Sequence, residues 1–351
     1  MAYTTINKST DYFNTVTYTG NSTDNRTVTG VGFQPDWTWI KLRNSASQHE
    51  LFDYVRGANK PISSNLTTTE STETNRLKSF DSDGFTLGTG TAVNGGYNFA
   101  SWNWKASGTS GSANTDGAIN STVSANTTSG FSIVSYTGTL SGNGNTTVGH
   151  GLGAVPKMII TKSRSNGENW GVYHKDLTAN YILQLNTNSA QINTSSEGTV
   201  TAPTSSVFTV NYRGEYGNSG QNYVAYCFAE KKGFSKFGSY TGNGNADGAF
   251  IYTGFKVSWL MLKNTATSSS WYMYDNKRSV SNPNGTILLA DQNTAESTNT
   301  ASGEHPIDFL SNGFKIRTTS SARNGSGNQI IYMAFAEAPL VGSNNVPCTA
   351  R

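Results

Sequence analysis

The sequence has few charged residues and no long apolar run. Charged side chains make up 13% of the 351 residues, and the formal net charge is +3. This balance leaves no basic stripe that could follow a phosphate backbone, so no nucleic-acid partner is expected. No segment approaches the roughly 18 apolar residues of a membrane-spanning helix, and the N-terminus lacks the basic and apolar regions of a secretory signal. We therefore expect no membrane insertion.

Sequence motifs for common catalytic and metal chemistry are also missing. The four histidines occur singly, without metal-ligand spacing, and no nucleophile elbow or phosphate-binding glycine loop is found, so no metal and no cofactor are predicted. The two cysteines are Cys227, in an apolar run, and Cys348, near the C-terminus. We expect a buried thiol and a tail thiol, not a disulfide. The spacing of the acidic residues does not point to a catalytic pair of carboxylates, and the prediction is a protein that is not an enzyme.

The residues that are abundant favour β-structure. The chain contains 37 glycines, 17 tyrosines, 16 phenylalanines and 7 tryptophans, and it is rich in serine, threonine and asparagine, which disfavour long helices. Short aromatic and β-branched runs alternate with turn sequences such as Asn-Gly. In one run Trp37 and Trp39 share a face with Lys41, whereas Ile40 and Leu42 point the other way. The prediction is an all-β protein of antiparallel β-sandwich domains with jelly-roll or lectin-like topology.

The chain repeats one pattern three times. Tyr-Thr-Gly begins at Tyr18, Tyr136 and Tyr240, and each copy continues into an apolar run that ends on a lysine, namely Lys41, Lys162 and Lys263. Each copy closes on a strongly apolar strand, at residues 99–104, 223–228 and 330–335. Three tandem sandwich units are therefore predicted. The predicted organisation is an N-terminal docking arm at residues 1–11, units at 12–106, 130–232 and 233–342, a Gly/Ser/Thr/Asn linker at 107–129, and a C-terminal tail at 343–351.

The repeat separates residues of the fold from residues of a site. A residue type shared by all units is expected to serve the fold, so the three lysines are interpreted mainly as strand-end lysines with buried stems; a shared ligand contact is the alternative. Aromatic faces suit the apolar face of a sugar ring, although such residues are more often core. The candidate ligand-binding residues are Trp170, Tyr173, Trp271 and Tyr274, with His49, Asp53 and Arg56 of the first unit.

Four segments of the first unit resemble a repeat in virion structural proteins of marine tailed bacteriophages. These segments are Gly32–Lys41, Leu51–Gly57, Ser79–Phe85 and Trp102–Ala106. The second and third units depart from the pattern, since they lack the Val-Arg-Gly of the first, and the double tryptophan becomes Tyr226-x-Phe228 and Met333-x-Phe335. The resemblance implies an appendage, tail-fibre-like or head-associated protein with lectin-like sandwiches.

This resemblance predicts a non-enzymatic virion structural protein that attaches to glycans on the host surface. One alternative is a capsid or tail decoration protein without ligand binding, and a second is a polysaccharide depolymerase. The expected partners are other virion proteins and a host-surface glycan. A homo-oligomer, with a trimer as the expected state, follows from the class. The expected location is the exterior of the particle, after assembly in the host cytoplasm.

Overall fold

A computed structural model describes residues 3–301 and 304–341 of the protein. The named strands pair in an antiparallel manner, and the helices are single turns at Ser9–Asp11, Thr91–Asn94 and Ser321–Asn324. The predicted all-β class is confirmed. None of the helices in the described residues is long and apolar enough to cross a membrane.

Each repeat contributes one large and one small sheet. The first has a five-stranded sheet in the order β1-β8-β3-β4-β5 and a three-stranded sheet in the order β2-β7-β6. Its strands are β1 (Phe13–Thr19), β2 (Arg26–Thr29), β3 (Trp37–Leu42), β4 (Glu50–Asp53), β5 (Gly57–Ile62), β6 (Leu77–Asp81), β7 (Gly84–Leu87) and β8 (Asn98–Trp104).

The second repeat has an eight-stranded sheet, β16-β15-β14-β13-β18-β11-β10-β9, and a two-stranded sheet, β12-β17. Its strands are β9 (Ser112–Asn114), β10 (Ser121–Asn126), β11 (Phe131–Thr137), β12 (Asn145–Gly149), β13 (Pro156–Ser163), β14 (Trp170–His174), β15 (Tyr181–Gln184), β16 (Ile192–Asn193), β17 (Val207–Asn211) and β18 (Asn222–Ala229).

The third repeat has a six-stranded sheet, β19-β27-β21-β22-β23-β24, and a three-stranded sheet, β20-β26-β25. Its strands are β19 (Ser235–Thr241), β20 (Phe250–Tyr252), β21 (Phe255–Asn264), β22 (Tyr272–Asp275), β23 (Thr286–Leu289), β24 (Ser297–Thr298), β25 (Ile307–Leu310), β26 (Gly313–Ile316) and β27 (Gln329–Pro339). The order opening strand, closing strand, lysine strand and next strand is the same in all three large sheets.

Both faces of each large sheet are buried at its central strands. One face packs on the small sheet of its own unit, as Ile40, Leu42 and Phe99 do in the first. The other face joins a single core shared by all three units. That core contains four residues from the lysine and closing strands of each unit, namely Trp37, Trp39, Trp102 and Trp104; Met158, Ile160, Tyr226 and Phe228; and Trp259, Met261, Met333 and Phe335.

Aromatic rings join all three units across this core. Trp37 stacks on Tyr226 with ring centroids 4.3 Å apart. Trp104 meets Trp259 edge-on at 5.7 Å, and Phe228 meets Phe335 at 6.2 Å. Because every pair of units is in direct contact, the units form a closed ring around the core and are not strung out in a line.

One segment differs from the sequence-based prediction. Residues 107–129 are not a plain linker, because β9 and β10 lie within them and extend the second large sheet beyond β11. Small polar side chains do not prevent this, since ladder hydrogen bonds come from the backbone. The predicted tail at 343–351, with Cys348, lies outside the described residues, whereas Cys227 is buried as predicted.

The described part of the N-terminal arm packs on its own chain, and its predicted docking to a neighbouring subunit stays a prediction. Ile6 is fully buried in the shared core. Thr4 Oγ1 donates a hydrogen bond to Lys232 O at 2.7 Å, and the Tyr3 hydroxyl donates to Gly254 O at 2.7 Å. Burial of the Ile6 side chain against this aromatic core removes apolar surface from water and so stabilises the fold.

Candidate functional site

The three repeated lysines bind the units together. Each lies buried on the core face of its strand, and each ammonium donates to a backbone carbonyl of a neighbouring unit. Lys41 reaches Asn293 O at 3.4 Å, Lys162 reaches Thr67 O at 3.1 Å, and Lys263 reaches Asn188 O at 3.0 Å. Burial lowers the pKa of each lysine to about 8. Their shared role is therefore in the fold, as their repetition predicts, and it is a contact between units.

The ring-bearing residue eight positions after each lysine also hydrogen-bonds to a neighbouring unit. These residues are His49, Trp170 and Trp271. Trp170 Nε1 donates to Ser63 O at 3.0 Å, and Trp271 Nε1 donates to Gln184 O at 3.0 Å. His49 takes the place of tryptophan in the first unit: its Nδ1 accepts from Trp39 Nε1 at 2.8 Å, which leaves Nε2 to donate to Leu289 O at 2.9 Å. Burial lowers the pKa of His49 to about 3, so the ring is neutral.

A buried ion pair joins the first and second units. Asp53 and Arg56 are fully buried and bonded to each other. The Tyr226 hydroxyl of the second unit donates to Asp53 Oδ2 at 2.7 Å, and Arg56 also pairs with Glu70 at 3.0 Å. Glu70 in turn accepts from Arg164 of the second unit at 2.9 Å. The guanidinium is therefore held between two carboxylates. We call such a contact between two neighbouring units a joint.

The other two joints repeat this geometry, one with the same ion pair and one with neutral groups. In the third unit Asp275 pairs with Arg278 and accepts from Trp102 Nε1 of the first unit at 3.0 Å. In the second unit His174 and Leu177 stand in place of the aspartate and arginine. His174 Nδ1 accepts from the backbone of Asp176, so Nε2 donates to Tyr332 O of the third unit at 3.3 Å. Two joints are ionic and one is neutral.

These contacts correct most of the predicted ligand-binding residues. The structure buries Trp170, Trp271, Tyr274, His49, Asp53 and Arg56. Their faces are covered by protein and cannot stack on a sugar. Trp170 and Trp271 pack in the shared core, and Tyr274 packs in the core of its own unit. Tyr173 alone of the seven is half-buried.

Tyr173 lines a surface cleft of about 460 Å³ in the second unit. The cleft lies between the end of β14, the loop into β15, and the segment before β17. A volume of this size is typical of small-molecule sites. Its lining combines aromatic, hydroxyl and amide side chains, among them Tyr173, Thr178, Asn180, Tyr181, Thr199 and Thr201.

The cleft exists because the second sandwich is incomplete. In the first and third units a third strand, β6 or β25, completes the small sheet and covers the residues equivalent to Tyr173, which are Phe52 and Tyr274. The corresponding stretch of the second unit, residues 199–204, forms no strand. The side of β17 on which β7 and β26 have that neighbour is therefore without a strand in the described chain.

One substitution accompanies the missing strand. Phe80 and Phe309 lie five positions before Phe85 and Phe314 and pair with them across a hairpin. The residue five positions before Phe208 is Pro203. Thr204 N donates to Val207 O at 2.9 Å, so Pro203 stands at the next position, where the pairing with β17 needs no N–H. A proline ring does not fill the volume of a phenylalanine, so Pro203 removes the aromatic packing that holds this strand in the other units and leaves space.

A narrow recess continues inward from the cleft. It shares Tyr173, Val200 and Thr201 with the cleft and reaches the Tyr216 side chain. The Tyr216 hydroxyl is buried beside Thr161, and it makes no well-formed hydrogen bond to the described residues. Burial raises the pKa of Tyr216 far above its ordinary value, so the group keeps its proton. A buried hydroxyl without a well-formed hydrogen bond is costly, and Tyr216 lines the recess next to the cleft.

Comparison with known proteins gives a family. A family model described as a domain of unknown function, DUF7483, matches residues 8–339. The chain belongs to the DUF7483 family. No curated protein matches the chain significantly. The stretch matched by the DUF7483 model contains all three units and Tyr173, Pro203 and Tyr216.

Elsewhere in this DUF7483 chain the described residues offer no cluster of three or more His, Cys, Asp or Glu side chains arranged for a metal ion. The prediction from sequence missed Pro203 and Tyr216. Comparison of the repeats would have found Pro203, because it breaks a pattern that the other two units keep. Tyr216 lies in a stretch without a repeated motif.

Proposed function

We propose that this protein is a non-enzymatic structural component of a tailed-bacteriophage virion, exposed on the particle exterior, that attaches to host-surface glycan through the cleft of the second unit. The sequence resemblance of the first unit supports the virion role. The observation that carries the attachment role is the cleft around Tyr173, an accessible aromatic ring among hydroxyl and amide side chains. Aromatic faces and hydrogen-bonding groups together suit sugar rings.

The test is the location of the protein on the particle. Virions of the phage that encodes this sequence are purified, and antibodies against the recombinant protein are used for immunogold labelling. Gold on intact particles, together with lower adsorption to host cells after antibody treatment, supports the proposal. Particles that lack the protein would refute the virion role. New reducing ends after incubation with host polysaccharide would refute the non-enzymatic role.

A decoration protein without ligand binding is the second candidate. It is favoured by the closed ring of three similar units, since a threefold arrangement matches a threefold position on a symmetric shell. Under this alternative gold would cover the head uniformly, and adsorption to cells would not depend on the protein.

A further inference from the structure

We propose that the unit-2 cleft binds one neutral pyranose ring, which stacks on Tyr173 and places a hydroxyl group toward the buried hydroxyl of Tyr216. This inference rests on the proposed attachment function and names the ligand class of that site. It predicts one site per chain, although the chain contains three similar units.

The stacking surface is unique to the second unit. The residues equivalent to Tyr173 are Phe52 and Tyr274, and both are completely buried. The Tyr274 hydroxyl is also occupied, because it donates to His305 O at 3.1 Å. Tyr173 is the one member of this set that a ligand can reach, which gives a single site.

The polar groups of the rim suit a ligand with many hydroxyls. Thr178, Asn180, Thr199 and Thr201 line the cleft beside Tyr181. Hydroxyls both donate and accept, and a side-chain amide does the same through two different atoms. Such groups match sugar hydroxyls, which also donate and accept.

The charge of the rim argues for a neutral sugar. Lys175 is a cation in the lining, and its ammonium is paired with Asp176 at 2.7 Å. A sugar carboxylate would have to compete with Asp176 for this lysine. Because Lys175 is already paired, it gives an acidic sugar little electrostatic advantage over a neutral one.

The inner recess favours a ligand that carries a hydroxyl group. Its free volume of about 10 Å³ is close to that of one water-sized group, so a ring cannot enter but a single hydroxyl or a water molecule can. Tyr216 lines this recess together with Thr161, and its buried hydroxyl makes no well-formed hydrogen bond to the described residues. A hydroxyl delivered by the ligand, directly or through one water, would satisfy it.

The test uses the full-length protein and a panel of methyl pyranosides of glucose, galactose, mannose and N-acetylglucosamine, with methyl glucuronoside as the acidic member. Binding is measured by saturation-transfer NMR and by titration calorimetry. We expect at least one neutral member to bind with one site per chain. Tyr173→Ala should weaken that binding about ten-fold or more, in line with the loss of an aromatic stacking partner. Tyr97→Ala is the matched control, since Tyr97 is 38% exposed on the first unit, and it should leave affinity unchanged.

Two further variants separate a binding role from a structural one. Tyr216→Phe removes a hydroxyl that makes no well-formed hydrogen bond to the protein, so it should weaken sugar binding several-fold without lowering the thermal midpoint. Pro203→Phe restores the residue type of the other units and should abolish binding in a folded protein. The proposal is overturned if no neutral pyranoside binds, if only the glucuronoside binds, if three sites titrate, or if Tyr173→Ala binds like the parent. Binding by a protein absent from virions would instead refute the proposed function alone.

Discussion

The substitution Arg56→Leu tests whether the units are held together by buried charge. The guanidinium of Arg56 lies between Asp53 and Glu70, and it also donates to Leu51 O at 3.2 Å. Leucine would leave Asp53 as a fully buried carboxylate whose remaining side-chain partner is Tyr226. Breaking a buried pair by removing one partner costs about 3–5 kcal/mol.

This energy converts to a measurable shift in melting temperature. An unfolding entropy of about 2.1 cal/mol/K per residue over 351 residues gives about 0.7 kcal/mol per degree at the midpoint. The expected fall is therefore about 4–7 °C, measured by differential scanning calorimetry at pH 7. Arg317→Leu is the control, because Arg317 is 45% exposed in its ion pair with Asp308, and exposed pairs contribute about 0–1 kcal/mol.

The second unit suggests a double variant that should restore the lost stability. It carries His174 and Leu177 where the first carries Asp53 and Arg56, and burial lowers the pKa of His174 to about 4, so this joint is neutral. The double variant Asp53→His, Arg56→Leu copies this solution and should recover at least half of the lost midpoint. A fall of less than about 1 °C for Arg56→Leu, or a double variant no more stable than the single, would refute the reasoning.

Three other predictions concern the core and its lysines. Burial holds the pKa of Lys41, Lys162 and Lys263 near 8, so from about pH 8 to 10 the unfolded chain binds more protons than the folded chain, and the free energy of unfolding should rise with pH. Lys162→Met should reduce that rise by about a third, as measured by urea titrations at several pH values. An unchanged dependence on pH would contradict the lowered pKa of Lys162. Ile6→Ala should lower the free energy of unfolding in urea by about 2–5 kcal/mol, whereas Lys8→Ala, an exposed neighbour, should not change it. Residues 233–341 expressed alone should aggregate or bind a hydrophobic dye, because their face of the shared core is uncovered; a monomeric fragment with a cooperative melt would show that the unit folds independently.

The strands, and the face of the sheet on which each of their side chains lies, can be predicted from the sequence. The contact between units cannot. The alternation of Trp37 and Trp39 against Ile40 and Leu42 is confirmed, since the two sets lie in different cores. In an isolated sandwich one face of each sheet meets water, so the aromatic residues on the second face were open to interpretation as a binding platform. The closing strand at Tyr223–Phe228 is apolar on both faces, which is typical of a sheet covered on both sides. That pattern favours a shared core, but it does not indicate which other segment covers the face.

The site is predictable in part. Tyr173 follows from its repeated position, and Pro203 follows from a break in the repeat. The burial of Asp53 and Arg56 does not follow, because a pair of charges three residues apart is ordinary on an exposed loop. Their partner, Tyr226, lies 173 positions from Asp53 along the chain. Local sequence carries no information about that contact, which depends on how the repeats close.

The covalent continuity of the ring has a consequence for how such a protein can change. In a trimer of identical subunits every substitution appears three times, so a proline that opens one sandwich would open all three. Here one chain supplies all three positions. Pro203 takes the place of a packed phenylalanine in one unit, while Phe80 and Phe309 keep the other two closed. Two units can therefore retain the packing that holds the three-unit ring together while the surface of the third is free to diverge.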